Sequence, residues 1–488
     1  MKAFLLFRVA LFIGLSYVES LQAAPTTAPL PVKAKDNPVN SQPQAVIPLI
    51  NSQPQTEKQV TKLHSAPVIL TATDLDPELA RELLVRKGKV YPLTTCGLFQ
   101  TSEDGSAIPI PFQIDEKDDY GDYILDQGKN ANSAYSNGVF DNFDEISFMG
   151  NDIGPKKIPT EWIGKKPSIL YELIFKRGDK EGAVYFAVFG GRPPVSSNLN
   201  YVRFNLKNAE VETSRYRYQF DENNYLVVRG ISVKDQKGSE KRLIDSSTFY
   251  LKADFQYFVT VSANHQRIQS ELDAYKTGPV RTIARVNFNL VLLGMQFQLG
   301  MYTEVSFFSN AVVLPAILDN PINGEKSLNK NSLFYYGLAT VDNPEKLKIS
   351  SNMPAFKEED RSFFNMSSIL GKKKSDELYW VSALAPGYML HFEFKPSADM
   401  IKMQSIPRFY VENTAADQME KRSKGAQPLG KSPVNMALGF DLHLLKEGVH
   451  LIKFQLFFEN FEDPETLDQF RNLSEWRLRS KKIGPREF

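Results

Sequence analysis

Val280-Arg281-Thr282-Ile283-Ala284-Arg285-Val286-Asn287-Phe288-Asn289-Leu290-Val291-Leu292-Leu293, followed after Gly294-Met295 by Gln296 to Phe308, is the stretch that decides the fold class. Successive side chains on a strand point to opposite faces, so residues two apart share one. Val280, Thr282, Ala284, Val286, Phe288, Leu290 and Leu292 fall on one face; Arg281, Arg285, Asn287 and Asn289 fall on the other. That is the pattern of a long antiparallel strand buried on one side. Gly294-Met295 joins it to a second strand of similar length.

The same pattern extends in both directions. Ile169 to Lys176 and Ala183 to Phe189 flank a hairpin turn at Arg177 to Gly182. Val202 to Leu206, Tyr216 to Phe220, Leu226 to Val233 and Phe255 to Val261 follow, rich in β-branched and aromatic residues and separated by turn residues. Leu378 to Leu384, Tyr388 to Phe394, Ala437 to Leu444 and His450 to Phe458 repeat the pattern later in the chain. The fold class expected is all-β: a large antiparallel β-sandwich with a few peripheral helices. One short helix is expected from Asp76-Pro77-Glu78. A C-terminal helix is expected from Asp463-Pro464, with Leu467, Phe470, Leu473 and Trp476 as its apolar stripe and Arg477, Arg479, Lys481 and Lys482 at its end. A polar, charged interval at 342–376 reads as either a long excursion or a domain boundary; the boundary reading gives a main β-sandwich domain, 67–340, and a second β block, 341–488.

The N-terminus carries an address. Lys2 and Arg8 precede an apolar run of about ten residues, then small residues at Ala23 and Ala24. Residues 1–23 read as a secretory signal peptide, the run being too short for a span of about 20 residues. Residues 24–66, rich in Pro, Gln, Ser and Asn, read as a disordered linker. Export to the periplasm is expected first, and to the extracellular space second. No later stretch reaches spanning length, so no transmembrane segment is expected after cleavage. Cys96 is the only cysteine, which excludes an intramolecular disulfide, and its apolar neighbours suggest a small buried hydrophobe. A formal net charge of +1 gives no global attraction to nucleic acid.

An acidic cluster occupies 115–152, with Lys117 and Lys129 as the opposing charges. Asp115, Asp141, Asn142, Asp144, Glu145 and Asp152 are the candidate ligands if it holds Ca²⁺, which takes several oxygen ligands. The other reading is a solvated face with Asx turns. Overlapping it, Ala107-Ile108-Pro109-Ile110-Pro111-Phe112-Gln113-Ile114-Asp115-Glu116 and Phe140-Asp141-Asn142-Phe143-Asp144-Glu145-Ile146-Ser147-Phe148 are similar to a pattern in poorly characterised exported bacterial β-proteins. Gly278-Pro279-Val280-Arg281 resembles a strand opening in the same group. Some of those proteins are similar to the galactose-mutarotase-like supersandwich of polysaccharide lyases and sugar epimerases. The resemblance covers roughly residues 85–310.

That resemblance prompts a search for lyase chemistry, which needs a base and a cation to hold a uronate carboxylate. The candidate catalytic residues are His265, Arg267, Tyr275, Arg281 and Arg285. A concave groove joining His265, Tyr275 and Arg281 would favour an enzyme. The leading expectation is a non-catalytic protein binding carbohydrate or another envelope component. A polysaccharide lyase and a structural accessory protein of an envelope assembly are the alternatives, with a glycan or an envelope protein as partner.

Overall fold

Two nine-stranded antiparallel sheets meet face to face in the computed structural model, which describes residues 66–75, 91–235, 238–256, 259–292, 295–320, 322–330, 332–341, 348–351, 379–385, 387–403, 408–411, 436–461 and 477–488. The back sheet runs, in spatial order, through Val202–Asn205, Glu210–Thr213, Tyr216–Asp221, Asn224–Lys234, Glu240–Phe255, Leu333–Thr340, Met436–Asp441 and Arg408–Val411, with Val259–Asn264 also paired to Glu240–Phe255. The front sheet runs through Lys348–Ser351, Tyr379–Ala385, Gly387–Pro396, Gly448–Phe461, Ala311–Asn320, Met295–Phe308, Arg281–Leu292, Ile268–Thr277 and Gln127–Gly128. The fold is all-β, as expected. Strands from both sides of position 341 share both sheets: Leu333–Thr340 pairs with Met436–Asp441, and Ala311–Asn320 with Gly448–Phe461.

The core between the sheets follows from the alternation. Ala284, Val305, Phe307, Val312, Leu390 and Phe458 from the front sheet meet Val211, Tyr216, Val228, Ile231 and Ile244 from the back. Tyr216 stacks on Phe458 at 4.4 Å between ring centroids, and Tyr218 meets Phe307 edge-on at 5.3 Å. Aromatic pairs of these geometries contribute beyond their buried area. The strand Arg281–Leu292 keeps its expected faces over its first half, with Thr282, Ala284 and Val286 buried. A register shift between Asn287 and Asn289 then interrupts pairing with Met295–Phe308; a bulge of this kind re-aims the residues beyond it.

A smaller sandwich covers one end of the front sheet's outer face. Its three-stranded sheet is Pro67–Thr71, Glu145–Met149 and Phe112–Asp115; its five-stranded sheet is Arg477–Ile483, Ile169–Arg177, Lys180–Val188, Cys96–Thr101 and Ala107–Pro109. Val68, Leu70, Ile146 and Phe148 of the first pack on Tyr171, Leu173, Phe175 and Phe186 of the second. Ala66 and Met149 join it to Val280, Phe308, Ala311, Val313 and Phe457. The hairpin Ile169–Arg177 to Lys180–Val188 turns more tightly than expected, at Gly178-Asp179, where Gly178 takes φ 58°. That left-handed conformation favours glycine. Cys96 is buried, and burial pushes its thiol up to about 12, the inert state expected of it.

The expected signal peptide, nearly all of the linker, and the helix from Asp76 lie outside the described residues, as does Asp463 to Trp476. The basic run placed at the end of that last helix is instead a strand, Arg477–Ile483, paired to Ile169–Arg177. Its residues alternate, with Arg477, Arg479 and Lys481 exposed and Leu478 packed inward, which suits a sheet edge. Among the described residues, no helix is long and apolar enough to cross a membrane.

Candidate functional site

The three motif segments, spread over more than 160 positions, meet at one buried arginine. Arg281 is fully buried at the start of its strand. Its Nε donates to Asp115 Oδ2 at 2.7 Å and its Nη2 to Glu145 Oε2 at 2.9 Å. Asp115 and Glu145 end neighbouring strands and stand directly opposite each other. Like charges in that position repel, so the guanidinium between them makes the pairing possible. Lys276 adds a 3.0 Å contact to Asp115, and Lys117 a 2.6 Å contact to Glu145. The Tyr123 hydroxyl donates to Glu145 at 2.6 Å, and Arg281 lies 5.0 Å from that ring's centre.

Gln113 closes the site through its side chain. Its Nε2 donates to Asp115, while its Oε1 accepts from the backbone N–H of Arg281 at 3.1 Å. The amide fills the space that a Cβ on Gly278 would need, so the glycine in Gly278-Pro279-Val280-Arg281 is explained by close approach. Burial raises the pKa of Asp115, but Arg281 and Lys276 outweigh it and hold the carboxyl below its ordinary range. Burial likewise opposes ionisation of Glu145, yet Arg281 and Lys117 bring it down to about 2. Every charge at this node is answered by another, the arrangement of a structural clamp.

Between Phe112–Asp115 and Glu145–Met149 runs a long excursion, residues 116–144. It carries two short strands, Gln127–Gly128 and Val139–Phe140, and is tied down by side-chain bonds along its length. Glu116 accepts from Ser136 Oγ and the N–H groups of Asn137 and Gly138. Asp144 accepts from the N–H groups of Lys117 and Asp141. Asn132 Oδ1 accepts from Leu125 N–H. Against the front sheet, Arg285 donates to the Tyr123 carbonyl at 2.8 Å, Tyr302 donates to Asp122, and Gln127–Gly128 pairs with Ile268–Thr277. The outward surface of this rigid segment carries Tyr120, 93% exposed, Tyr135, 71%, and Phe143, 41%. These are the exposed aromatic side chains among the described residues.

The candidate catalytic residues are dispersed. His265 is buried, with Nδ1 2.8 Å from Thr248 Oγ1. Arg267 is exposed and donates to the Ser262 carbonyl. The Arg267 carbonyl accepts from Val291 N–H, at the far end of the strand that Arg281 begins. Those ten positions span about 30 Å at roughly 3.3 Å per residue. Tyr275 is opposite Ala284 and meets Phe204 edge-on, on the inner side of the sheet. Arg285 is on the outer side, bonded to Glu304 at 2.7 Å.

The candidate metal ligands divide similarly. Asp115 and Glu145 serve Arg281, Asp144 serves two N–H groups, Asp141 Oδ1 accepts from Phe143 N–H, and Asp152 accepts from the Tyr201 hydroxyl at 2.8 Å. Asn142 is partly exposed. Among the described residues, no group of three or more His, Cys, Asp or Glu side chains is placed to hold a metal ion. The sequence marks Arg281, Asp115 and Glu145, and Lys117 as a charge opposing the acidic cluster, but not Lys276, Tyr123 or the role of Gln113. The quoted motifs contained Gln113, whereas nothing in the local pattern marks Lys276 or Tyr123.

No family model matches the chain, and no curated protein matches it. Among solved structures it is similar to an α-mannosidase from Enterococcus faecalis V583, with a TM-score of 0.40, 8% identity, and coverage of 87% of this chain and 45% of that one. It is similar also to a protein in the glycosyl hydrolase family 38 from Enterococcus faecalis, with a TM-score of 0.40, 8% identity, and coverage of 86% and 46%. The chain spans less than half the length of each.

Proposed function

We propose that the protein is an exported, non-catalytic β-sandwich protein that binds an envelope carbohydrate through residues 116–144. One observation carries the reading: the exposed aromatics among the described residues all belong to one segment, which is held to the front sheet by Arg285, Tyr302 and the pairing of Gln127–Gly128. Sugar rings present C–H faces that stack on aromatic rings and hydroxyls that pair with carboxylate and amide groups. Tyr120 and Tyr135 supply the first; Asp126 and Asn130, exposed on the same segment, supply the second. A segment already fixed before binding loses little entropy on ligation. The non-catalytic part rests on the dispersal of His265, Tyr275 and Arg281, with Arg281 closed to solvent.

Glycan-array binding with wild-type protein and with Tyr120→Ala and Tyr135→Ala tests it. Both side chains are exposed, so the variants keep the fold. At least a tenfold loss of affinity for the bound glycan is expected from either. A wild-type protein that retains no glycan, or variants that bind as tightly as wild type, would overturn the reading. Capture of an envelope protein that survives both substitutions would favour the accessory role instead.

A further inference from the structure

The outer face of the front sheet holds a pair of like charges opposite in sign to Asp115 and Glu145 of the three-stranded sheet. Lys395 on Gly387–Pro396 and Lys453 on Gly448–Phe461 are direct cross-strand partners. Their side chains therefore leave the same face, with Cβ atoms about 5 Å apart. At the Arg281 node an opposite charge relieves the corresponding repulsion. Here, among the described residues, neither lysine has an ion-pair or hydrogen-bond partner. Both keep solvent access. Lys453 nevertheless lies close enough to the protein body for desolvation to lower its pKa. Glu145 and Glu393 oppose that effect from a distance, while Lys395 and Arg281 add to it.

The surroundings give the pair a polarity. One step along the strands, Glu393 and Gln455 are paired and buried, and beyond them His391 and Phe457 are buried too. In the other direction Leu451 is 53% exposed and Val449 69%, both on the face of Lys453. The lysines thus mark the edge where this face opens, with Leu451 and Val449 leading outward and Asp319 in register with Val449. Of the three candidate arginines, Arg281 and Arg285 are paired with protein carboxylates.

We propose that Lys395 and Lys453 form a binding site for an oxyanion, a carboxylate or phosphate held between the two ammonium groups with Leu451 and Val449 alongside. The site stands on its own register and charges, independent of residues 116–144. Calorimetric titration of the full chain with inorganic phosphate, and separately with a uronate oligosaccharide, tests it. Saturable binding of at least one probe is expected, weakened at least tenfold by Lys395→Gln and by Lys453→Gln and unchanged by Lys402→Gln, an exposed lysine elsewhere on the surface. Binding of phosphate alone assigns the site to free or ester phosphate; binding of the uronate assigns it to an acidic glycan. Each variant should unfold at or above the wild-type midpoint, because removing one lysine relieves repulsion. No saturable binding of either probe, or equal affinity in the Gln variants, would overturn the proposal.

Discussion

Replacing Arg281 by Met isolates the energetic role of the clamp. Methionine keeps much of the apolar stem but removes the guanidinium from between two buried carboxylates. Asp115 is 0% exposed and the Glu145 side chain 13%. Breaking a buried pair from one side costs about 3–5 kcal/mol. A second route gives a similar size. Glu145 is held at about 2, against an ordinary value of 4.5; at about 1.4 kcal/mol per pKa unit the difference is worth about 3 kcal/mol. Lys276 and Lys117 remain beside the carboxylates, so the two losses should not add in full. We expect R281M to lose about 3–5 kcal/mol at pH 7, read from urea unfolding midpoints. The sign of the pH dependence follows. In wild type the depressed pKa of Glu145 gives stability present above about pH 4.5 and lost as pH falls toward 2. In R281M only Lys276 and Lys117 remain to hold the carboxylates ionised, so the gap between the proteins should narrow over that window. Adding Asp115→Asn and Glu145→Gln to R281M should recover part of the loss at pH 7. A loss below about 1 kcal/mol, or one that stays constant from pH 7 to pH 3, would refute the reasoning.

Desolvation pushes Asp144 and Glu304 up to about 7 and Asp152 up to about 6. A carboxyl with a raised folded pKa contributes stability that is complete below its unfolded value and lost as pH rises through the folded one. With the opposite behaviour of Glu145, stability should rise on acidification from pH 8 to about 5 and fall below about 4; denaturant midpoints across pH 3–8 that decline steadily from pH 8 would count against this. Gly278→Ala would drive a Cβ into the buried Gln113 amide and disturb its bonds to Arg281 and Asp115. A loss of about 1–3 kcal/mol is expected from such overpacking, and an unchanged thermal midpoint would show that the amide can move aside.

Strand content was legible in the chain, because period-two alternation needs only local chemistry. Thr282, Ala284 and Val286 are buried as their spacing required, and Cys96 is buried as its neighbours implied. Asp115 and Glu145 stood out as members of an acidic cluster, and Arg281 through the alternation of its strand and the resemblance of its opening to that of exported bacterial β-proteins. Tertiary structure decided what those residues do. Alternation assigns Arg281 and Arg285 to the face opposite the core, which reads as solvated. That face is in fact covered at one end by the smaller sandwich, and a charge in such a place survives only with partners from segments distant in the chain. The edge strand Arg477–Ile483 shows the same limit, because partner strands select extended structure there. Register decided Lys395 and Lys453 as well: 58 positions apart in the chain, they face each other only because their strands are neighbours. Periodicity is encoded locally, whereas the pairing of charges is a property of the assembled sheets.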